Sequence, residues 1–146
     1  MRMPALLLLP LLFPLSCVAA TADDKIDCND ASSTVEMNFC AQKDFDAADA
    51  QLNAVYQKVL AHIGESDLEK PYDRASWEEA MRASQRAWVA FRDADCKGAV
   101  PMEWSGGTGT TVAVVGCMTT LTEARTKDLA SRYDVALPAS SPRPQP

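Results

Sequence analysis

Cys28, Cys40, Cys96 and Cys117 follow an apolar leader and sit in a short, acidic stretch with helical periodicity. An even set of cysteines behind such a leader constrains the fold more than any other feature, because it points to an oxidising compartment and a cross-linked domain. Arg2 supplies the positive start, residues 6–9 and 11–13 the apolar run, and Val18-Ala19-Ala20 or Ala20-Thr21-Ala22 a small-residue cleavage site. Residues 1–20 are therefore read as a signal peptide, and the chain as periplasmic or secreted. Pro4, Pro10 and Pro14 make this run too short and broken for a membrane span, so no transmembrane segment is expected after cleavage. Cys17 keeps a second route open, since Leu15-Ser16-Cys17 resembles a lipoprotein signal whose cysteine is acylated, although Pro14 stands where an aliphatic residue is usual.

The remaining residues suffice for one core and are few for two. The formal charge of −6 disfavours nucleic acid, whose phosphates need cationic neutralisation, and disfavours anionic lipid by charge alone. A basic partner is attracted, though acidity also keeps exported proteins soluble. The four cysteines permit three pairings. We favour Cys28–Cys40, which clips the entry to the first long helix, and Cys96–Cys117, which closes a Gly-rich excursion, because both are local. Each bridge contributes about 2–4 kcal/mol, mainly by restricting the unfolded chain. Zinc is the weaker reading: no two cysteines have CxxC spacing and His62 is the sole histidine. No metal and no organic cofactor is required.

From Ser33 onward the pattern turns helical. Ser33 with Glu36 forms a capping box, and Phe45, Ala48, Leu52, Val55, Val59 and Ile63 recur every three or four residues as one buried stripe. Gly64 marks the stop, and His62 beside it reads as a terminal polar residue rather than a catalytic base. Residues 65–73, with Pro71, form a linker. A second helix begins near Arg74 or Ser76, with the stripe Trp77, Met81, Ser84, Trp88, Phe91 and Asp95; Ala80 and Ala87 allow a neighbour to approach, and Trp88 and Phe91 are read as core anchors.

Between Cys96 and Cys117 the pattern changes. Residues 105–110 have the freedom of a surface turn, and Pro101-Met102-Glu103-Trp104 offers an amphipathic ridge before it. The glycines are no phosphate loop, for the lysine followed by serine or threonine is absent. A third helix runs from near Val112 or Cys117 to Tyr133, its stripe including Met118, Leu121, Thr122, Arg125 and Leu129, with Arg125 and Asp128 as a surface ion pair. Residues 135–146, rich in proline, read as a disordered tail. The expected architecture is all-α: a small helical bundle with long antiparallel helices, stabilised by two disulfides.

Asp27-Cys28, Thr34-Val35-Glu36-Met37-Asn38-Phe39-Cys40-Ala41, Ala48-Asp49-Ala50-Gln51-Leu52-Asn53 and Tyr56 resemble the lysozyme-inhibitor LprI-type N-terminal domain. The resemblance continues through Gln85-Arg86-Ala87-Trp88, Phe91-Arg92-Asp93, Cys96, Cys117, Leu121-Thr122, Arg125 and Leu129. It covers roughly residues 27–133, within a domain drawn at residues 21–134, and implies a helical extracytoplasmic domain, some of whose relatives are associated with inhibition of lysozyme. Onto its matched positions we place structural roles: Glu36 as a cap, Asn38 and Asn53 as supports of turns or inter-helix polar bonds, Tyr56, Trp88 and Phe91 in packing, and Arg86, Arg92, Asp93 and Arg125 in an internal charged network.

Under that resemblance the expected function is binding and blocking a lysozyme; the alternative is a non-catalytic module that binds another cell-envelope protein. The candidate contact surface is Glu103, Trp104, Gly106, Gly107 and Thr108. Catalysis is not expected. Glu78 with Glu79, or Asp93 with Asp95, supply carboxylates, but sugar-bond hydrolysis needs two groups opposed across the bond, and adjacent acids on a helix surface do not create that cleft.

Overall fold

The computed structural model describes residues 26–139. Its frame is three long helices: α1 (Thr34–Gly64), α2 (Arg74–Ala94) and, after a short α3 (Val100–Glu103), α4 (Thr110–Arg132). No strand occurs among the described residues. The start of α1 is fixed by the expected capping box: the Glu36 N–H donates to Ser33 Oγ at 3.2 Å, and the Ser33 N–H donates to Glu36 Oε2 at 2.9 Å. These bonds satisfy donors that a helix N-terminus leaves open. The Ser33 backbone bond, more than any other, holds the Glu36 carboxyl below its ordinary range. Asp73 caps α2 through the Ser76 N–H at 3.0 Å, and its carboxyl is likewise lowered by Ser76.

Helix α2 runs antiparallel to both other long helices. At one end Trp77 meets His62 and Tyr133 edge-on or tilted, with ring centroids 6.1–6.3 Å apart; at the other Arg92 lies over Phe45, one turn above Ala41. Helices α1 and α4 consequently run parallel and share the most extensive contact in the bundle. Ala48, Leu52, Val55, Val59 and Ile63 form the buried stripe of α1, as their spacing predicts, with Phe45 half-buried. Leu52, Val55, Val59 and Ile63 meet Met81, Leu129 and Ala130 in one apolar cluster, against which Tyr56, Trp77, Trp88, Tyr133 and Val135 pack.

The register of α2 differs from the expectation. The residues turned inward are Met81, Trp88, Arg92 and, one turn beyond the helix, Cys96, while Phe91 is 56 % exposed and is no core anchor. Ala80, Ala87, Ser84 and Asp95 also face solvent. A hydrophobicity count rejects arginine as an inward residue, yet Arg92 is the one that faces α1 and α4.

Both cysteine pairs form the favoured bridges, Cys28–Cys40 and Cys96–Cys117, each with Cα atoms 5.6 Å apart. Between α2 and α3 the backbone widens into a π-turn over Asp95–Ala99, where the Val100 N–H bonds back to the Asp95 carbonyl. Pro101 explains it: its ring carries no N–H and clashes with a carbonyl four residues earlier, so the turn before it cannot be regular α-helix. The π-turn carries Cys96, fully buried, toward Cys117.

After α4 the chain turns back onto the bundle. Asp134 adopts φ 50° and the Val135 N–H bonds to the Ala130 carbonyl at 3.0 Å, a Schellman ending in which Val135 returns to the core. Lys58 Nζ then donates to the Ala136 carbonyl at 2.6 Å. The expected signal peptide, with Cys17, lies outside the described residues, as does the end of the proline-rich tail.

Candidate functional site

Two features stand apart from the apolar cluster, one at mid-bundle and one at the end where α1 and α4 begin. The first is a polar layer. Arg92 is buried, with Nε and Nη2 donating to Asp93 Oδ1 at 3.1 Å each and Nη1 donating to Thr122 Oγ1 at 3.3 Å. Asp49 of α1 lies 3.6 Å from the same guanidinium. The guanidinium lies over two aromatic rings, Phe45 and Trp88, each 5.3 Å away, and Arg125 lies 5.9 Å from the Trp88 ring as well. Arg125 donates to Gln85, Ser84 and Asp128, the last at 3.0 Å as the sequence spacing predicts. Guanidinium suits this place because it is weakly hydrated, planar and able to stack.

Three of the four charges assigned to an internal network are in it. Asp93 links Arg92 to Lys97 at 2.9 Å, and the Lys97 hydrogen bond, with Arg92 adding, holds its carboxyl below the ordinary range. Arg86 is not; it faces solvent. Asn53 donates to Asp49 at 2.9 Å, so it supports the network from within α1, and Tyr56 packs against the core. Asn38 is half-buried, with its side-chain oxygen buried and unpartnered. The layer joins all three long helices and is structural: its groups bond to one another.

The second feature is the turn between α3 and α4. Its hydrogen bonds are continuous: Ser105 N–H to Met102, Gly106 N–H to Pro101, Gly107 N–H to Trp104 and Thr110 N–H to Gly107. Ser105 at φ 50° and Gly106 at φ 67° supply the left-handed steps of this ending. The segment is a chain of bonded turns rather than the free surface turn its glycines suggest. Trp104 folds its indole over Gly109, where any Cβ would overlap the ring, and remains 50 % exposed. Glu103, Gly106, Gly107 and Thr108 are exposed around it.

The indole forms one wall of a mainly apolar groove. Thr34 and Met37 of α1 form another, and Thr108, Gly109, Val112 and Ala113 complete it. Of the five residues proposed from sequence, the groove takes Trp104 and Thr108. Met37, Val112 and Ala113 were missed because they come from distant parts of the chain and look like core positions, and neither disulfide bridges the two segments. Val35 and Met102 add exposed apolar surface to the same two segments.

A second recess lies at the opposite end, lined by Ser66, Asp67, Leu68, Asp73, Arg74, Ala75 and Glu78. It is broad and open, and its charges already hold the linker: Arg74 donates to the Ser66 carbonyl, Asp73 caps α2, and Glu78 pairs with Arg82. The acids weighed for catalysis thus serve elsewhere, Glu78 with Arg82 and Asp93 with Arg92 and Lys97. Asp95 lies with the Cys96 and Cys117 sulfurs within 4.8 Å of one another, but both sulfurs are bonded in a disulfide and offer no thiolate to a metal. Among the described residues no helix is long and apolar enough to cross a membrane.

Comparison with known proteins agrees with the resemblance read from the motifs. The family described as lysozyme inhibitor LprI matches residues 27–129. An uncharacterised protein of Rhizobium meliloti is 37 % identical over 133 residues, covering 87 % of this chain and 95 % of its own. The uncharacterised protein YecT of Escherichia coli is 30 % identical over 84 residues, 56 % of this chain and 47 % of its own. No solved structure matches the chain. The chain belongs to the LprI family.

Proposed function

We propose that this LprI-family protein is exported and binds a lysozyme, blocking its cleft with the end of the bundle that carries Trp104. The observation that carries the reading is the family match over residues 27–129, a span that contains α1, α2, α3, all but the last three residues of α4, both disulfides and the Trp104 turn. The fold suits the task. A surface clamped by disulfides and bonded turns loses little freedom on binding, which preserves affinity, and a half-exposed indole beside apolar groups is a common anchor of protein interfaces. The net charge of −6 draws a cationic enzyme into encounter, while the anchor positions it. The protein acts by occupancy, without turnover and without a cofactor. The two disulfides suit the periplasm or the exterior; acylation at Cys17 in place of cleavage after residue 20 is read out by the mass of the processed chain.

The test is inhibition of several purified lysozymes by the oxidised protein lacking residues 1–20, with folding checked in the same preparation. Saturable inhibition at a defined stoichiometry is expected. Folded, oxidised protein that neither binds nor inhibits any of them would instead place it as a non-catalytic binder of another envelope component.

A further inference from the structure

The groove at the Trp104 end sits among acidic residues. It is built from residues 26–42 and 98–117, and these two segments contain no lysine, arginine or histidine. Their charged residues are Asp27, Asp30, Glu36 and Glu103, all acidic. Glu36 stays ionised, its carboxyl lowered by the Ser33 bonds, and so does Asp27, lowered by the Asn29 N–H. The disulfide Cys28–Cys40 ties the segment carrying Asp27 and Asp30 to the early turns of α1. Of the bases that border these segments along the chain, Lys25 lies outside the described residues, Lys43 is exposed on α1 six residues past Met37 and does not line the groove, and Lys97 is tied to Asp93. Exposed apolar side chains fall in the same segments: Val35, Met37, Met102 and Trp104.

An apolar slot whose two segments carry acids and no base, with Glu36 beside Met37 and Glu103 beside Trp104 in the chain, selects one chemistry. We infer that the groove bounded by Met37, Trp104, Val112 and Ala113 receives a single protruding aliphatic or aromatic side chain from a basic protein segment, with lysine or arginine on either side of that anchor meeting Glu36, Glu103 and the acids near Cys28. This deepens the proposed function and rests on its premise that this end is the contacting face. It adds what that face reads: an apolar anchor flanked by cations. The anchor supplies affinity by leaving water; the carboxylate edge supplies encounter rate and rejects acidic surfaces. Gly109 belongs to the same device, since its missing Cβ lets the indole lie flat as a wall.

The test uses the oxidised protein and short synthetic peptides. One carries leucine between arginine and lysine residues; a second replaces the leucine by serine; a third keeps the leucine and replaces the cations by glutamate. The readout is the Trp104 indole N–H in nitrogen-15 NMR, with Trp77 at the far end and Trp88 in the buried layer as internal references. The expected result is a saturable Trp104 shift with the first peptide, binding about tenfold or more weaker with the second and third, and no movement of Trp77. Met37→Lys and Ala113→Arg, which leave the Trp77 and Trp88 signals in place, weaken the first peptide by a similar factor, and Glu103→Lys flattens its salt dependence. Equal binding of the leucine and serine peptides overturns the inference, as does absence of any Trp104 shift. The lysozyme assay separates the two proposals. Inhibition undiminished in both Met37→Lys and Ala113→Arg removes the groove and leaves the inhibitor; peptide binding at Trp104 without inhibition of any lysozyme leaves the groove and removes the inhibitor.

Discussion

The two ends of this bundle are held by different forces. Toward the end of α1, Leu52, Val55, Val59, Ile63, Met81 and Leu129 fill an apolar cluster closed by Trp77, Tyr133 and Val135, and burial of that surface is what stabilises it. Toward the start of α1 the interior holds Arg92 between Phe45 and Trp88, and the periphery is tied by two disulfides. The lesson concerns where apolar side chains go. At the far end those on the long helices are consumed in the core, while Leu68 and Tyr72 of the linker stay exposed. At the near end covalent and polar ties hold the helices, so Met37, Met102 and Trp104 are left at the surface and available to a partner.

That contrast is open to attack from several sides. Leu129→Ala removes a fully buried side chain from the far core and is expected to cost about 2–5 kcal/mol in urea denaturation, while binding by the folded fraction is unchanged. Replacing Cys96 and Cys117 by serine is expected to cost about 2–4 kcal/mol and, unlike Leu129→Ala, to disperse the Trp104 indole signal. Equal effects of the two changes on Trp104 would erase the distinction between the ends. Arg92→Ala, followed by the same denaturation, is expected to cost about 1–3 kcal/mol. It loses the bonds to Asp93 and Thr122, yet Asp49 and Asp93 are partly solvated and are not left as dry charges.

Acid gives a smaller and graded effect. Asp93, lowered by Lys97 and Arg92, and Glu36 and Asp73, lowered by their caps, bind protons less readily folded than unfolded. Their contribution is complete above the ordinary carboxylate range and is lost as pH falls through their depressed values, so stability falls with acidification below that range. A denaturation series across acidic pH that stays flat would contradict the assigned bonds. The smallest effect belongs to Phe91→Ala. With this ring turned to solvent, the change is expected to stay within about 0.5 kcal/mol; a loss of several times that would return Phe91 to the core.

The α1 stripe was legible because its period is long, its residues are aliphatic, and cap and stop agree. The disulfides were legible because both close short segments. The register of α2 was not, because Arg92 counts as polar in any pattern, and only the three-dimensional company of Asp49, Asp93, Thr122 and two aromatic rings makes its burial tolerable. Thr126 escaped for a related reason: its hydroxyl bonds to the Thr122 carbonyl, so the side chain is buried with its polarity satisfied. Of the candidate site, Trp104 was readable as an exposed aromatic beside glycines. The wall formed by Met37, Val112 and Ala113 was not, because it requires knowing that α1 and α4 start side by side.

The most direct test of the account is calorimetric titration of a lysozyme with the oxidised protein and two folded variants, one altered at each end. Glu103→Ala with Trp104→Ala changes the near end; Leu68→Ala with Tyr72→Ala removes the exposed apolar groups of the far linker. The near-end variant is expected to lose about tenfold or more in affinity and the far-end variant to bind like the parent. Loss of binding in the far-end variant with the near-end variant unaffected would contradict it.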